Sequence, residues 1–203
     1  MSKKKLQDIL DLSELLESND DSQECQYIRK EYKGTTYNIK IYDDFRSPDT
    51  YYELINTIQT SSEKDTIIFD IASGGGDYSG FLVMFGALMN CKANTVAVVH
   101  EACSAASMLA LSCDKVVMSP FGYFMIHSFS GGSYGKKQEL KAKAKFDEDY
   151  FNEVMRVVYL PFLTEEELKN VDSGDDMWIT APDARERLKN WTPIKKRLKE
   201  LIK

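Results

Sequence analysis

The chain has 203 residues, 43% of them hydrophobic and 29% charged, the balance of a globular protein long enough for one domain with a sizeable core. Its 26 basic and 32 acidic residues leave a formal net charge of −6, which argues against broad nucleic-acid binding, since that needs basic surface to neutralise phosphates. No apolar run approaches the roughly 20 residues of a membrane-spanning helix, and LQDILDLSELLE behind the basic start mixes acids into its apolar pattern, against a secretory signal.

Residues 1–30 read as a flexible N-terminal arm: a short amphipathic piece, with Leu6, Ile9, Leu10 and Leu12 at helical spacing, then the polar SNDDSQE. Residues 31–203 read as the folded domain. TYNIKIYDDF alternates and is rich in β-formers, so it predicts a strand. Ser47-Pro48-Asp49 opens a helix carried by TYYELINTIQT, with proline in its first turn. Thr66–Ile71 is a short apolar run suited to a buried strand, and Gly74-Gly75-Gly76 breaks it. A helix through FLVMFGALMN, a strand over 94–99 and a helix over SAASMLALSC follow. Val116–Met118 and Tyr123–Ile126 predict two further short strands. Strand, glycine turn, helix, strand, helix is the rhythm of a parallel α/β sheet.

Beyond it, residues 136–159 place Leu140, Phe146, Tyr150, Phe151, Val154 and Val158 at helical spacing and predict one long helix. Thr164 with Glu167 forms a capping box for a shorter one, and a last helix starts near Thr180-Ala181-Pro182. The four cysteines, Cys25, Cys91, Cys103 and Cys113, show no CxxC spacing, and with two histidines in the chain no metal site is expected. Free thiols in a reducing cytoplasm are the expectation.

The scarce histidines direct the search for chemistry. A serine nucleophile needs a base, usually imidazole, and only His100 and His127 are available; each closes a predicted strand. Ser107, in Cys103-Ser104-Ala105-Ala106-Ser107-Met108, lies in the first turn of a helix after a buried strand. Small residues precede it, and the helix N-terminus favours developing negative charge. The N–H of Met108 is a candidate oxyanion donor. The alternative for this segment is a small-residue helix packed on a sheet. The glycine turn lacks the Lys-Ser or Lys-Thr of a phosphate loop; Asp77-Tyr78 stand there, and an acid repels phosphate. A turn exposing N–H groups to an oxyanion or a peptide fits better.

Four segments resemble the proteolytic subunit of the Clp protease family. Ile71-Ala72-Ser73-Gly74-Gly75-Gly76 resembles the family's Asn-Ser-Pro-Gly-Gly, and Ala105-Ala106-Ser107-Met108 its Ala-Ala-Ser-Met. Met125-Ile126-His127 resembles its Met-Ile-His, and Asp176-Met177-Trp178-Ile179-Thr180-Ala181 its Asp-x-Phe-Leu-Ser-Ala. They fall in the family's order over about residues 37–190. IYDDFRSPDTYYELI and GGSYGKKQEL are similar to the bacteriophage-encoded branch.

The resemblance implies an α/β fold of the Clp protease and crotonase type, stacked βα units with a long protruding helix. It implies a serine endopeptidase with no cofactor: Ser107 as nucleophile, His127 as base, and Asp176 (Asp175 being its local rival) as orienting acid. The N–H groups of Gly76 and Met108 would form the oxyanion hole. Gly75 would support the turn, and Gly131, Gly132 and Ser133 would lie along an extended polypeptide substrate. It also implies homo-oligomeric rings, a heptamer or stacked double heptamer, fed by an ATP-driven (AAA+) unfoldase, with the long helix between rings and the arm near the axial pore. No nucleic acid or membrane partner is expected, and the expected place is the bacterial cytoplasm.

The sequence departs from the family's pattern at Gly74, where proline is usual, at Cys103, where glycine is usual, and at Leu188-Lys189-Asn190-Trp191. Alternatives are an acyl-CoA enzyme of the crotonase type, which the Ser/His/Asp set disfavours, an inactive ring or assembly subunit, and a phage head maturation protease.

Overall fold

The computed structural model describes residues 34–132 and 134–201; the expected arm and Ser133 lie outside them. Five strands form one sheet in the order β1-β2-β3-β4-β5: β1 (Thr36–Ile41), β2 (Thr66–Ser73), β3 (Asn94–Cys103), β4 (Lys115–Ile126) and β5 (Met177–Thr180). The first four are parallel and β5 runs antiparallel to β4. Helices α1 (Tyr52–Thr60), α2 (Tyr78–Met89) and α3 (Ala105–Ser112) make the crossovers that parallel pairing requires.

Alternation in the strands explains which face is covered. Ile67, Phe69 and Ile71 of β2 are fully buried, while their neighbours Ile68 and Asp70 are only half-buried. On β1, Lys40 is exposed, and on β5 Trp178 is 62% exposed. Helix α3 is buried at every residue, which its run of Ala, Ser and Leu permits. The predicted strands over 116–118 and 123–126 are one continuous strand. Gly122 lets it pass, since a Cβ there would meet the carbonyl of Val99 at 2.4 Å.

Helix α4 (Lys137–Tyr159) is the expected long element. Every side chain from Lys141 to Phe146 is exposed, and burial becomes complete only at Met155, Val158 and Tyr159. It protrudes at its N-terminal half and is rooted at its C-terminal end. Helix α5 (Glu165–Asp172) starts at the predicted capping box: Thr164 Oγ1 accepts from Glu167 N at 3.1 Å, and the Glu167 carboxylate accepts from Thr164 N at 2.9 Å. Helix α6 (Ala181–Leu188) is followed by α7 (Ile194–Leu201), which the sequence reading did not separate. No helix among the described residues is long and apolar enough to cross a membrane.

Candidate active site

The carboxyl ends of the parallel strands and the root of α4 enclose a cavity of about 680 Å³. Open parallel sheets place their ligands at this edge, because the crossover loops gather there. Gly76, Ser104 and His127 are on its wall, with Tyr78, Phe129, Phe151 and Met155 supplying an apolar side. Phe129 stacks on Phe151 at 3.8 Å and Tyr78 meets Phe151 edge-on at 4.6 Å.

The glycine turn is built for contact with a backbone. Gly75 and Gly76 have φ of +105° and +120°, a region that disfavours side chains. A Cβ on Gly75 would meet Cys103 O and Ser104 Cβ, each at 2.7 Å, so the turn lies directly against the start of α3. Phe45 donates its N–H to Gly75 O and accepts from Asp77 N at 2.9 Å, which leaves the N–H of Gly76 outside this pairing.

The two serines of Ser104-Ala105-Ala106-Ser107 have different environments. Ser104 is the N-cap of α3, with φ 51° and ψ −123°, the one non-glycine positive φ among the described residues. Its N–H donates to Met125 O at 2.8 Å, which ties it to β4 two residues before His127. It is half-buried and on the cavity wall. Ser107, one helical turn later, is 0% exposed and not on that wall. Its hydroxyl donates to Ser104 O at 2.6 Å and lies 2.7 Å from Tyr159 Oη.

Met108 reaches the cavity, but its N–H donates to Ser104 O at 3.2 Å inside the helix. Ala105, the first residue of α3, has by contrast no intrahelical acceptor for its N–H. Burial, with Glu101 nearby, pushes the thiol of Cys103 up to about 11, so it stays protonated at neutral pH.

His127 and Asp176 occupy adjacent strand ends. The last antiparallel pair is Ile126 with Met177, and His127 and Asp176 are the next residues outward. Asp176 is exposed, as is Asp175, and no hydrogen bond joins Asp176 to His127 among the described residues. His100 lies apart from the cavity, paired with Asp70 at 2.8 Å. Gly131 and Gly132 are exposed and follow β4 without forming a strand. Among the described residues no cluster of three His, Cys, Asp or Glu side chains is placed to hold a metal ion.

Ser104 and Tyr159 are the members the sequence reading passed over. The signal for Ser104 was present, since it stands at the strand-to-helix junction and Ser107 one turn inside. Tyr159 had none, being 52 residues from its partner.

The Clp protease family model matches residues 39–187, most of the domain. The chain belongs to the Clp protease family. No curated protein matches it significantly. Membership agrees with the α/β sheet and protruding helix described above, and supports a peptidase acting on polypeptides, in a family that typically forms oligomeric rings.

Proposed function

We propose that this Clp family member is a serine endopeptidase whose nucleophile is Ser104, not Ser107, with His127 as base and Asp176 as orienting acid. The observation that carries this reading is the contrast between the serines: Ser104 opens on the His127 cavity from a strained corner, while the Ser107 hydroxyl is bonded inside the core. Strained φ/ψ outside glycine is stored where function over-determines it. A nucleophile at a sharp strand-to-helix turn presents its hydroxyl clear of the helix body.

In the proposed reaction Ser104 Oγ attacks a peptide carbonyl carbon and its proton passes to the imidazole of His127. The oxyanion is held by the N–H groups of Gly76 and Ala105, in place of Met108. His127 then protonates the leaving amine as the C–N bond breaks. Water attacks the acyl-enzyme by the same route in reverse and frees Ser104. The apolar wall of Tyr78, Phe129 and Phe151 suits a large apolar side chain of the substrate, and Gly75, Gly131 and Gly132 are positions where a substrate main chain can approach. Hydrogen bonds of a catalytic set are often open without substrate and tighten on binding, which accommodates the unbonded His127 and Asp176. Homo-oligomeric rings and a partner unfoldase belong to this proposal; the exposed sheet face carrying Trp178 and Val117 supports a protein–protein contact.

Labelling with an alkyl fluorophosphonate, followed by peptide mass spectrometry, tests the assignment. The adduct is expected on Ser104, lost in Ser104→Ala and His127→Ala and retained in Ser107→Ala. An adduct on Ser107 would overturn the choice of nucleophile. No adduct on folded, assembled protein would favour an inactive assembly subunit.

A further inference from the structure

Ser107 and Tyr159 have a defined relation to the nucleophile corner that the proposed triad does not use. Ser107 carries one hydroxyl proton. Ser104 O, a carbonyl, can only accept, so at 2.6 Å that proton is committed to it. The 2.7 Å contact with Tyr159 must then run the other way, with the phenol donating to Ser107 Oγ. The chain of donors has one direction: Tyr159 O–H to Ser107 O–H to the carbonyl of Ser104. Burial pushes the phenol's pKa well up, so Tyr159 remains a donor.

That carbonyl belongs to the peptide unit whose other end is the N–H of Ala105. The unit is trans, so its C=O and N–H point in opposite directions. The carbonyl receives three donors: Ser107 N at 3.0 Å, Met108 N at 3.2 Å and Ser107 Oγ at 2.6 Å. Holding the oxygen end fixes the aim of the N–H end. Donation into the carbonyl also polarises the amide and strengthens its N–H as a donor.

We propose that Tyr159 and Ser107 are positioning residues that lock the Ser104–Ala105 peptide, so that the Ala105 N–H is held ready for the oxyanion. This rests on the reading of Ser104 as nucleophile and of Ala105 as an oxyanion donor. Ser107 is off the cavity wall, and Tyr159, bonded to it, is on that wall; in this role both act through the peptide plane. Tyr159 is the last residue of α4, so the relay also roots the protruding helix at the nucleophile corner.

The test compares wild type with Tyr159→Phe, Ser107→Ala, Ser107→Thr and the Tyr159→Phe/Ser107→Ala double variant in the full chain. The readouts are the maximal rate and half-saturating concentration of fluorophosphonate labelling, and kcat and KM on a p-nitrophenyl ester. Tyr159→Phe and Ser107→Ala should each lower kcat and the maximal labelling rate on the order of 10-fold, part of the 10²–10³-fold that removing an oxyanion donor costs. KM and half-saturation should stay unchanged, because the ground-state contacts remain. The double variant should be no slower than the slower single one, and Ser107→Thr, which keeps a hydroxyl, should recover most of the rate.

Wild-type maximal rates in Tyr159→Phe and Ser107→Ala overturn the proposal. So does a loss that merely follows the fraction of titratable sites, which is what a purely structural role produces. Ser104→Ala in parallel separates the two failures. Residual labelling there sinks the nucleophile assignment. Clean loss there, with undiminished rates in the relay variants, sinks the relay alone.

Discussion

Replacing Gly75 by alanine presses on the Ser104 corner while leaving the Ser104 hydroxyl chemically unchanged. The new Cβ would stand 2.7 Å from Cys103 O, 2.7 Å from Ser104 Cβ and 3.1 Å from Ala105 N. Two of these neighbours are backbone atoms and cannot swing aside. The residue would also keep φ near +105°, which costs a non-glycine residue about 1–3 kcal/mol. Overpacking adds about 1–3 kcal/mol. With partial relaxation the expected loss is about 3 kcal/mol, or roughly 6–12 °C in Tm for a chain of this size. Relaxation has to move Ser104 and Ala105 away from the turn, and a displacement of about 1 Å can cost 10²-fold in rate.

Urea denaturation with fluorophosphonate labelling of the folded protein separates the two effects. Gly86→Ala is the control: it lies within α2 with nothing near its Cβ, and should stabilise by about 0.5–1 kcal/mol through helix propensity with labelling unchanged. Wild-type stability and labelling rate in Gly75→Ala would refute the contact between the glycine turn and the Ser104 corner.

Three other perturbations have defined expectations. Arg187 forms two parallel bonds to Glu167, at 2.8 and 2.7 Å, and together with the Thr164 N–H it holds that carboxyl down at about 2 against the cost of burial. A depressed carboxyl stabilises above its unfolded value, near 4.5, and loses that contribution as pH falls towards 2. Arg187→Met should therefore cost about 1–2 kcal/mol at neutral pH and flatten the acid limb of the stability curve between those values, read by denaturation at stepped pH. Asp114 accepts from Thr95 N at 2.9 Å, Thr95 Oγ1 at 2.7 Å and Lys195 Nζ at 2.9 Å, with the Lys195 side chain only 9% exposed. Asp114→Ala leaves that ammonium without its partner and should cost about 3 kcal/mol, with faster amide exchange in α7. Phe69→Ala empties a fully buried site in the middle of the sheet and should cost about 3–5 kcal/mol, seen as a lower urea midpoint.

Much of the fold was legible because it is local. Alternation in TYNIKI and the apolar run over Thr66–Ile71 mark strands, the spacing over 136–159 marks the long helix, and Thr164 with Glu167 marks a helix start. Local cues were weakest where elements are short or joined. Strand β5 has four residues and exists as an antiparallel edge on β4. The 115–126 strand read as two because Ser119-Pro120 interrupts its apolar pattern. Helix α7 depends on burial of Ile194 and on Lys195 reaching Asp114 across the chain.

The sequence by itself determined the parallel α/β class, the glycine turn, the small-residue segment after a buried strand and the few side chains from which a triad can be drawn, because each depends on residue type and near-neighbour spacing. It pointed to Ser107 and passed over Ser104. Both hydroxyls follow two small residues, Ala102-Cys103 and Ala105-Ala106, and they differ by three positions on one helical start. Only the tertiary structure decided which of them faces the cavity. Gly75 pressing on residues 103–105, Met125 accepting from Ser104 and Tyr159 donating into the core set that choice, and each comes from a distant part of the chain.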